Sequence, residues 1–362
     1  MCEGALVLAR SNLANDMEIA APPKYKCLDK LDNQAAACND INFRGASMHI
    51  FVTGGAGYIG SATAETLIKA GHSVTVFDSL VTGHRAAVPS GAKFIHASLD
   101  DGHALADALT SMKYDAIMHF AAFIEAGESM KDPGKFFRNN FRNSLELMEI
   151  AVQAGVKKLV LSSTAAVYRS SEEPLTEDSP LGPTNVYGQT KLMTEQALEW
   201  YRQIHGLHFA ALRYFNACGA LPGRGEAHQP ESHLIPRVLQ IALGQSESAA
   251  IYGTDYPTPD GTCIRDYIHI ADLVSAHLLS LDALDKRDGM TYNVGSGNGF
   301  SVREVIETAR KVTGHAIPAI ETPRRPGDSA RLVASPKKII SELGWKPIHT
   351  NMQEILSSAW EW

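Results

Sequence analysis

Tyr187 and Lys191, a tyrosine and a lysine four residues apart in Tyr187-Gly188-Gln189-Thr190-Lys191, promise chemistry by type and spacing. On a helix, positions i and i+4 share a face, so the ammonium lies close enough to influence the phenol. A free tyrosine has a pKa of about 10, too high for a base at neutral pH. A nearby cation favours the phenolate, which leads us to expect a Tyr187 pKa lowered toward the working range. Upstream, Leu161-Ser162-Ser163-Thr164 ends an apolar run, where the carboxyl edge of a parallel sheet would present hydroxyls to a ligand crevice. A Tyr and Lys at this spacing occur by chance in most long helices, so the pair gains its meaning from its company.

That company begins at Gly54, Gly57 and Gly60, which follow a short apolar strand and open a helical stretch. Glycines there let the chain turn tightly and let backbone N–H groups approach a pyrophosphate at the helix N-terminus. Asp78 closes the next apolar run, 18 residues after Gly60 (78 − 60). An acid at that position accepts ribose hydroxyls and repels a 2′-phosphate, which favours NAD over NADP.

The elements that must position these groups alternate. Strand-like runs occupy Met48–Thr53, His72–Phe77, Lys93–His96, Ala116–His119, Lys158–Ser162 and Phe209–Arg213. Helical patterns include Gly102–Ser111, Lys135–Ala154 and Val186–His205. Such alternation predicts an α/β fold, a Rossmann-type doubly wound parallel sheet with helices on both faces. After Asn216 the rhythm breaks into Gly-, Pro- and charge-rich stretches, with helices at Leu234–Leu243, His269–Leu284, Ser301–Thr313 and Met352–Trp360. We expect residues 48–222 to form the NAD-binding domain, with segments around 264–298 returning to it. Residues 223–362 are expected to form mainly a smaller mixed α/β substrate lobe. Residues 1–47 lack a periodic pattern and read as a disordered tail, or as a mis-called start preceding Met48.

Composition narrows the function classes. The formal net charge is −7 with both signs scattered, unlike the basic face of a nucleic-acid-binding protein. No apolar run approaches the ~20 residues that span a bilayer. Cys2, Cys27, Cys38, Cys218 and Cys263 show no paired spacing and read as reduced cytoplasmic thiols. The 14 histidines show no grouping suited to a metal.

From Met48 to Trp362 the chain resembles the extended short-chain dehydrogenases/reductases, and within them the UDP-galactose 4-epimerases. The resemblance rests on TGGAGYIGS (Thr53–Ser61), HFAA (His119–Ala122), SSTAAVY (Ser162–Tyr168), YGQTK (Tyr187–Lys191) and RYFN (Arg213–Asn216). HLIP (His233–Pro236), DGTCIRDYIH (Asp260–His269), YNVGSGNGFSV (Tyr292–Val302) and RRPGD (Arg324–Asp328) extend it. The resemblance implies Tyr187 as base, Lys191 as tuner and ribose anchor, and Thr164 as a bridge to the sugar hydroxyl. It implies an NAD pocket of Gly54, Gly57, Tyr58, Ile59, Gly60, Asp78, Ser98, Leu99, Phe120, Ala121, Ala122, Asn139, Ser162 and Phe215, together with Tyr187 and Lys191. Asn216, His233, Leu234, Tyr252, Arg265, Arg325 and Asp328 would hold the uridine diphosphate of a UDP-sugar, although Arg265, followed by Asp266, also suits a structural ion pair. The implied reaction removes the sugar 4-hydroxyl proton through Tyr187 while the C4 hydride passes to NAD. The 4-keto sugar then turns over and receives the hydride on its other face. A homodimer is implied as well, through the helix bearing Leu145–Ile150.

Four positions depart from the family pattern: Ser98 for an adenine-binding Asp, Ile124 for a Lys found in some members, Arg169 for a Gly, and Leu332 at a gate that sorts N-acetyl sugars. A nucleotide-sugar dehydratase would carry acids just after Thr164, where this chain has Ala165 and Ala166. UDP-pentose and UDP-N-acetylhexosamine substrates stay open, as does a catalytically silent sensor binding NAD and a nucleotide sugar.

Overall fold

The computed structural model describes residues 46–325 and 328–362. The expectations for residues 1–45, including Cys2, Cys27 and Cys38, lie outside the described residues.

The glycine turn links β1 (His49–Thr53) to α1 (Tyr58–Lys69), followed by β2 (Ser73–Asp78), β3 (Lys93–His96), α2 (Gly102–Thr110) and β4 (Ala116–His119). A short α3 (Ala126–Ser129) leads to α4 (Pro133–Phe136), a π-helical turn (Phe137–Arg142) and α5 (Asn143–Gln153). Then come β5 (Lys158–Thr164), α6 (Val186–His205), β6 (His208–Tyr214) and β7 (Asn216–Cys218). The remainder comprises α7 (Leu234–Ala242), β8 (Ala249–Tyr252), β9 (Ile264–His269), α8 (Ile270–Ala283), β10 (Gly289–Val294), β11 (Gly299–Ser301) and α9 (Val302–Thr313). It ends with β12 (Ala319–Thr322), β13 (Arg331–Leu332), α10 (Lys337–Leu343) and α11 (Met352–Glu361).

Seven strands form one parallel sheet in the order β10-β6-β5-β4-β1-β2-β3. This is the doubly wound α/β arrangement expected from the sequence. Strand side chains alternate between two cores. Ile50, Val52, Val160 and Leu212 pack with α1 and α8, whereas Phe51, Leu159, Leu161 and Ala211 pack with α5 and α6. The order reverses between β1 and β4, and such a switch point opens a crevice at the strands' carboxyl ends. A second sheet sets β9 between β11 and β13, with β7 also pairing β9. The remaining pair, β8 and β12, shares a core with α7, α9 and α11. β10 returns to the edge of the large sheet after this excursion.

The helix expected over Lys135–Ala154 is broken by the π turn. There the Asn140 amide accepts from Phe123 N at 2.9 Å and donates to Phe123 O at 2.8 Å, pinning the segment after β4. A widened turn is a common device beside functional sites, and a 3.6-residue pattern does not reveal it.

Candidate active site

Helix α6 is started by Asn185, whose side chain accepts from Gly188 N at 2.8 Å, so Tyr187 and Lys191 occupy its first turns. A Cβ on Gly188 would lie 2.3 Å from Ala166 O, so only glycine lets α6 pack this closely on the turn after β5. Lys191 is buried and donates to Ser162 O at 2.7 Å. Burial pushes its pKa down to about 8, while Glu195 acts to raise it.

Tyr187 departs from the sequence expectation. Its phenol oxygen is closely surrounded, and burial pushes its pKa up to about 12, against a hydrogen bond from Thr164 that favours the phenolate. The expected lowering is therefore not found in the protein alone, because desolvation outweighs the polar neighbours.

Beneath this face lies a buried network. Ser163 donates to Glu195, and Arg213 meets the same carboxylate through Nη2 at 2.7 Å and Nε at 3.1 and 3.2 Å. Arg213 Nη1 reaches Tyr168 OH at 2.7 Å, and that hydroxyl donates to Asn293 Oδ1 at 2.7 Å. Arg213, Tyr168 and Asn293 thus brace the face bearing Tyr187 and Lys191 from behind. His119 is also scaffold: it bonds Thr53 at 2.7 Å and Ser144 at 2.8 Å, and burial pushes its pKa down to about 3.

Two cavities flank the ends of β5 and β6. The larger, about 510 Å³, is lined by Gly54, Gly57, Tyr58, Ile59, Gly60, Asp78, Ser98, Leu99, Phe120, Ala121, Ala122, Asn139 and Ser162. It suits a dinucleotide. A Cβ on Gly60 would fall 2.2 Å from Gly54 O, so the turn stays tight enough to offer backbone to a phosphate. Asp78 accepts from Ala56 N at 2.9 Å and Leu80 N at 2.8 Å, and a carboxylate retains further acceptor sites for ribose hydroxyls.

Ser98 lines this cleft but accepts from Asp100 N at 3.2 Å, and Asp100 brings a carboxylate to the same wall. Ile124 lines it as well, leaving the cationic side to Lys135, Arg138 and Arg142, which the sequence analysis missed. Those three lie around the π turn, whose geometry helical spacing does not signal. Phe215 is set elsewhere, in a buried cluster with Ala165, Leu192 and Leu332. Arg169 is exposed and lies across Gly182, apart from both cavities.

The second cavity, about 220 Å³, gathers Asn216, His233, Leu234, Tyr252, Arg265, Arg325 and Asp328. Arg265 sits 3.6 Å from Asp328 and donates to Ser329 O at 2.9 Å, whereas Asp266 is occupied by Ser296, Gly297 and Ala334. The ion pair anticipated for Arg265 exists, then, with Asp328 as its partner. Arg325 lies over the Tyr252 ring at 3.6 Å. Arg237 lines the same cavity and was also missed, although it stands next to HLIP.

A strap runs between the cavities: Glu226 and His228 line the larger one, Ser232 and His233 the smaller. It is tied down by Tyr58 to Gly219 O at 2.6 Å, His84 to Ala227 O at 3.0 Å, Arg224 to Glu65, and His228 to Glu125 at 2.6 Å. Among the described residues no cluster of His, Cys, Asp and Glu suits a metal, and no helix is long and apolar enough to cross a membrane.

A parallel sheet with a glycine turn at its switch point, an acid closing β2 and a Tyr–Lys helix against β5 defines a dinucleotide-dependent enzyme of the Rossmann type. The chain belongs to the NAD dependent epimerase/dehydratase family, which matches residues 50–295. It is 48% identical over 319 residues to the UDP-glucose 4-epimerase of Lacticaseibacillus casei, covering 87% of this chain and 96% of that one. The structure of UDP-glucose 4-epimerase from Brucella ovis in complex with NAD superposes with a TM-score of 0.84 at 38% identity, covering 87% of this chain and 98% of that one. The Bifidobacterium longum enzyme in complex with NAD+ and UDP gives 0.83 at 35% identity, covering 87% and 97%. The resemblance carried by the sequence motifs is borne out.

Proposed function

We propose that this protein interconverts UDP-galactose and UDP-glucose by epimerisation at C4, with NAD as resident cofactor. One observation carries the reading. Ser162 at the end of β5 faces the dinucleotide cleft, and Asn216, just past β6, faces the arginine-lined cavity. Thr164 is the register partner of Tyr214 where these two strands end. Tyr187 lines neither cavity itself, but α6 packs through Gly188 on the turn after β5 and Lys191 bonds Ser162 O, which supports a proton-transfer group between the two ligands.

Bound NAD supplies a hydride acceptor that becomes a hydride donor. Tyr187 takes the proton of the sugar 4-hydroxyl and returns it, with Thr164 holding that hydroxyl and stabilising the phenolate. Lys191, fixed by Ser162 O, places its cation beside this exchange. Asp78 takes the adenosine ribose. Arg265, Arg325 and Asp328 hold the nucleotide, and this remote anchoring leaves the sugar free to turn between the two hydride transfers. Ala165 and Ala166 offer no carboxylic acid for an elimination, which disfavours dehydration. Residues 48–222 with α8 and β10 form the cofactor side, and the rest of 223–362 forms mainly the sugar-nucleotide side. Trp200 and Ile204, 62% and 67% exposed one turn apart on α6, favour burial against a second copy of the chain. A cytoplasmic location fits the free Cys218 and Cys263.

The test is conversion of UDP-galactose to UDP-glucose by purified protein without added NAD, followed by chromatography. Product that vanishes in Tyr187→Phe supports the reading. No product with hexose, pentose or N-acetyl substrates, even with NAD supplied, sinks it in favour of a silent binding protein.

A further inference from the structure

One buried histidine stands behind the cofactor cleft without lining it. His277, on α8, is fully buried. Its ring lies 5.0 Å from that of Phe120, which lines the cleft, and 5.3 Å from that of Tyr214 at the end of β6. Both ring nitrogens are used: Nδ1 lies 2.8 Å from Leu273 O, and Nε2 meets the Tyr214 hydroxyl.

A carbonyl oxygen can only accept, so Nδ1 carries a proton. Burial pushes the His277 pKa down to about 4, so the ring is neutral and Nε2 is left as an acceptor. Tyr214 therefore gives its one proton to His277 and has only lone pairs to offer elsewhere. Burial holds the Tyr214 phenol well above its usual range, and a hydrogen bond with the Ser162 side chain acts against that rise. A bond that favours the phenolate is one donated to it, so the Ser162 proton is spent on Tyr214. The Ser162 oxygen then turns lone pairs, and no proton, to the cleft it lines. An isolated hydroxyl rotates to give or accept, but in the row Leu273, His277, Tyr214, Ser162 every proton has its direction set.

This row ends at the reactive end of the cleft. Ser162 O holds Lys191 Nζ at 2.7 Å, and the Tyr214 hydroxyl is near enough to Tyr187 for their charges to interact. We propose that His277 is a positioning residue that makes Ser162 an obligate hydrogen-bond acceptor, selecting the amide N–H of the nicotinamide carboxamide. His277 would so orient the cofactor through two hydroxyls, without touching it. The inference rests on NAD as cofactor and is independent of which sugar is epimerised.

The experiment is a competition that needs no sugar nucleotide. Purified protein is equilibrated with NAD and 3-acetylpyridine adenine dinucleotide, which carries methyl in place of the amide NH2. Bound cofactors are then released and separated by chromatography. His277→Phe keeps a ring but removes the acceptor, so the Tyr214 proton turns onto Ser162 and the Ser162 proton is driven toward the cleft. The bound ratio of NAD to analogue should fall by about fivefold or more, the value of one neutral hydrogen bond. Ser162→Ala leaves the core behind it in place and should lower the ratio by a similar factor, which decides the matter should His277→Phe not fold. The double variant Tyr214→Phe/His277→Phe should regain part of the ratio, because the misdirected proton is gone, whereas a packing defect would deepen the loss. An unchanged ratio in His277→Phe or in Ser162→Ala overturns the proposal, as does a double variant with a ratio below that of His277→Phe. Each of those results leaves the epimerase reading intact.

Discussion

Replacing Glu195 by glutamine should unsettle this protein more than its near-isosteric size suggests. Glu195 and Arg213 side chains are 7% and 6% exposed, so neither charge is screened by water. The wild-type carboxylate meets Arg213 Nη2 at 2.7 Å and Nε at 3.1 and 3.2 Å, and also accepts from Ser163. Glutamine keeps one acceptor but turns an amide donor toward a donor-only guanidinium. Beside at most the one glutamine oxygen, Arg213 would then hold Tyr168 OH at 2.7 Å and Glu177 O at 3.3 Å, with its buried charge no longer countered at position 195. Removing one partner of a buried pair costs about 3–5 kcal/mol. For a chain of this size that corresponds to a melting temperature lower by roughly 5 °C.

The assay is thermal unfolding by circular dichroism at one scan rate, with NAD in excess so that cofactor loss does not contribute. The double variant Glu195→Leu/Arg213→Met removes both charges and should melt above Glu195→Gln, because an apolar replacement of the whole pair carries no stranded ion. The reasoning is refuted if Glu195→Gln melts within roughly 1 °C of the wild type, or if the double variant loses the sum of both single losses.

Three further outcomes follow from buried and half-buried ionisable groups. Lys191 is held at about 8 instead of 10.5, so activity that needs its cation should decline above about pH 8, and a rate flat to pH 10 would contradict the assignment. Between those values the unfolded chain binds the extra proton, so the unfolding free energy should rise from pH 8 to 10.5 in the wild type and lack that rise in Lys191→Met. The strap bond behaves differently. His228 is raised above 6.5, first by its bond to Glu125, so its contribution is complete below that value and is lost as pH climbs through its folded pKa. Glu125 is lowered below 4.5, first by its bond to His228, so its contribution holds above 4.5 and goes as pH falls through its folded pKa. Limited proteolysis of the strap should therefore separate wild type from Glu125→Gln most clearly between pH 4.5 and 6.5 and converge well above it; equal rates at pH 6 would remove the latch.

Much of the scaffold was legible because local rules and tertiary demands agree there. Helix α6 runs over Val186–His205 as the pattern predicted, since an Asn cap starts it and Gly206, at φ 64°, ends it. Six of the seven strands of the large sheet read as apolar runs, most clearly those covered on both faces, whereas β10 at one edge was expected only as part of a segment returning to that domain. The short strands β7, β8, β11 and β13 left no comparable trace, for their pairing depends on distant partners such as β9 and β12. The π turn was hidden because its reason, the Asn140–Phe123 bonding, lies on another element.

The sequence alone marked the glycine turn, Asp78 and the Arg265, Arg325 and Asp328 side chains that line the two cavities, because a glycine turn, a strand-end acid and a Tyr–Lys pair have few structural uses in that order. It left Lys135, Arg138, Arg142 and Arg237 unmarked. Tertiary structure decided their charges and partners. It raised Tyr187 and lowered Lys191 by withdrawing both from water, gave Arg265 to Asp328 and not to Asp266, and moved Phe215 into the cluster beside Leu332. The physical reason is that type and spacing are local, whereas desolvation and pairing depend on which remote segments pack against the site.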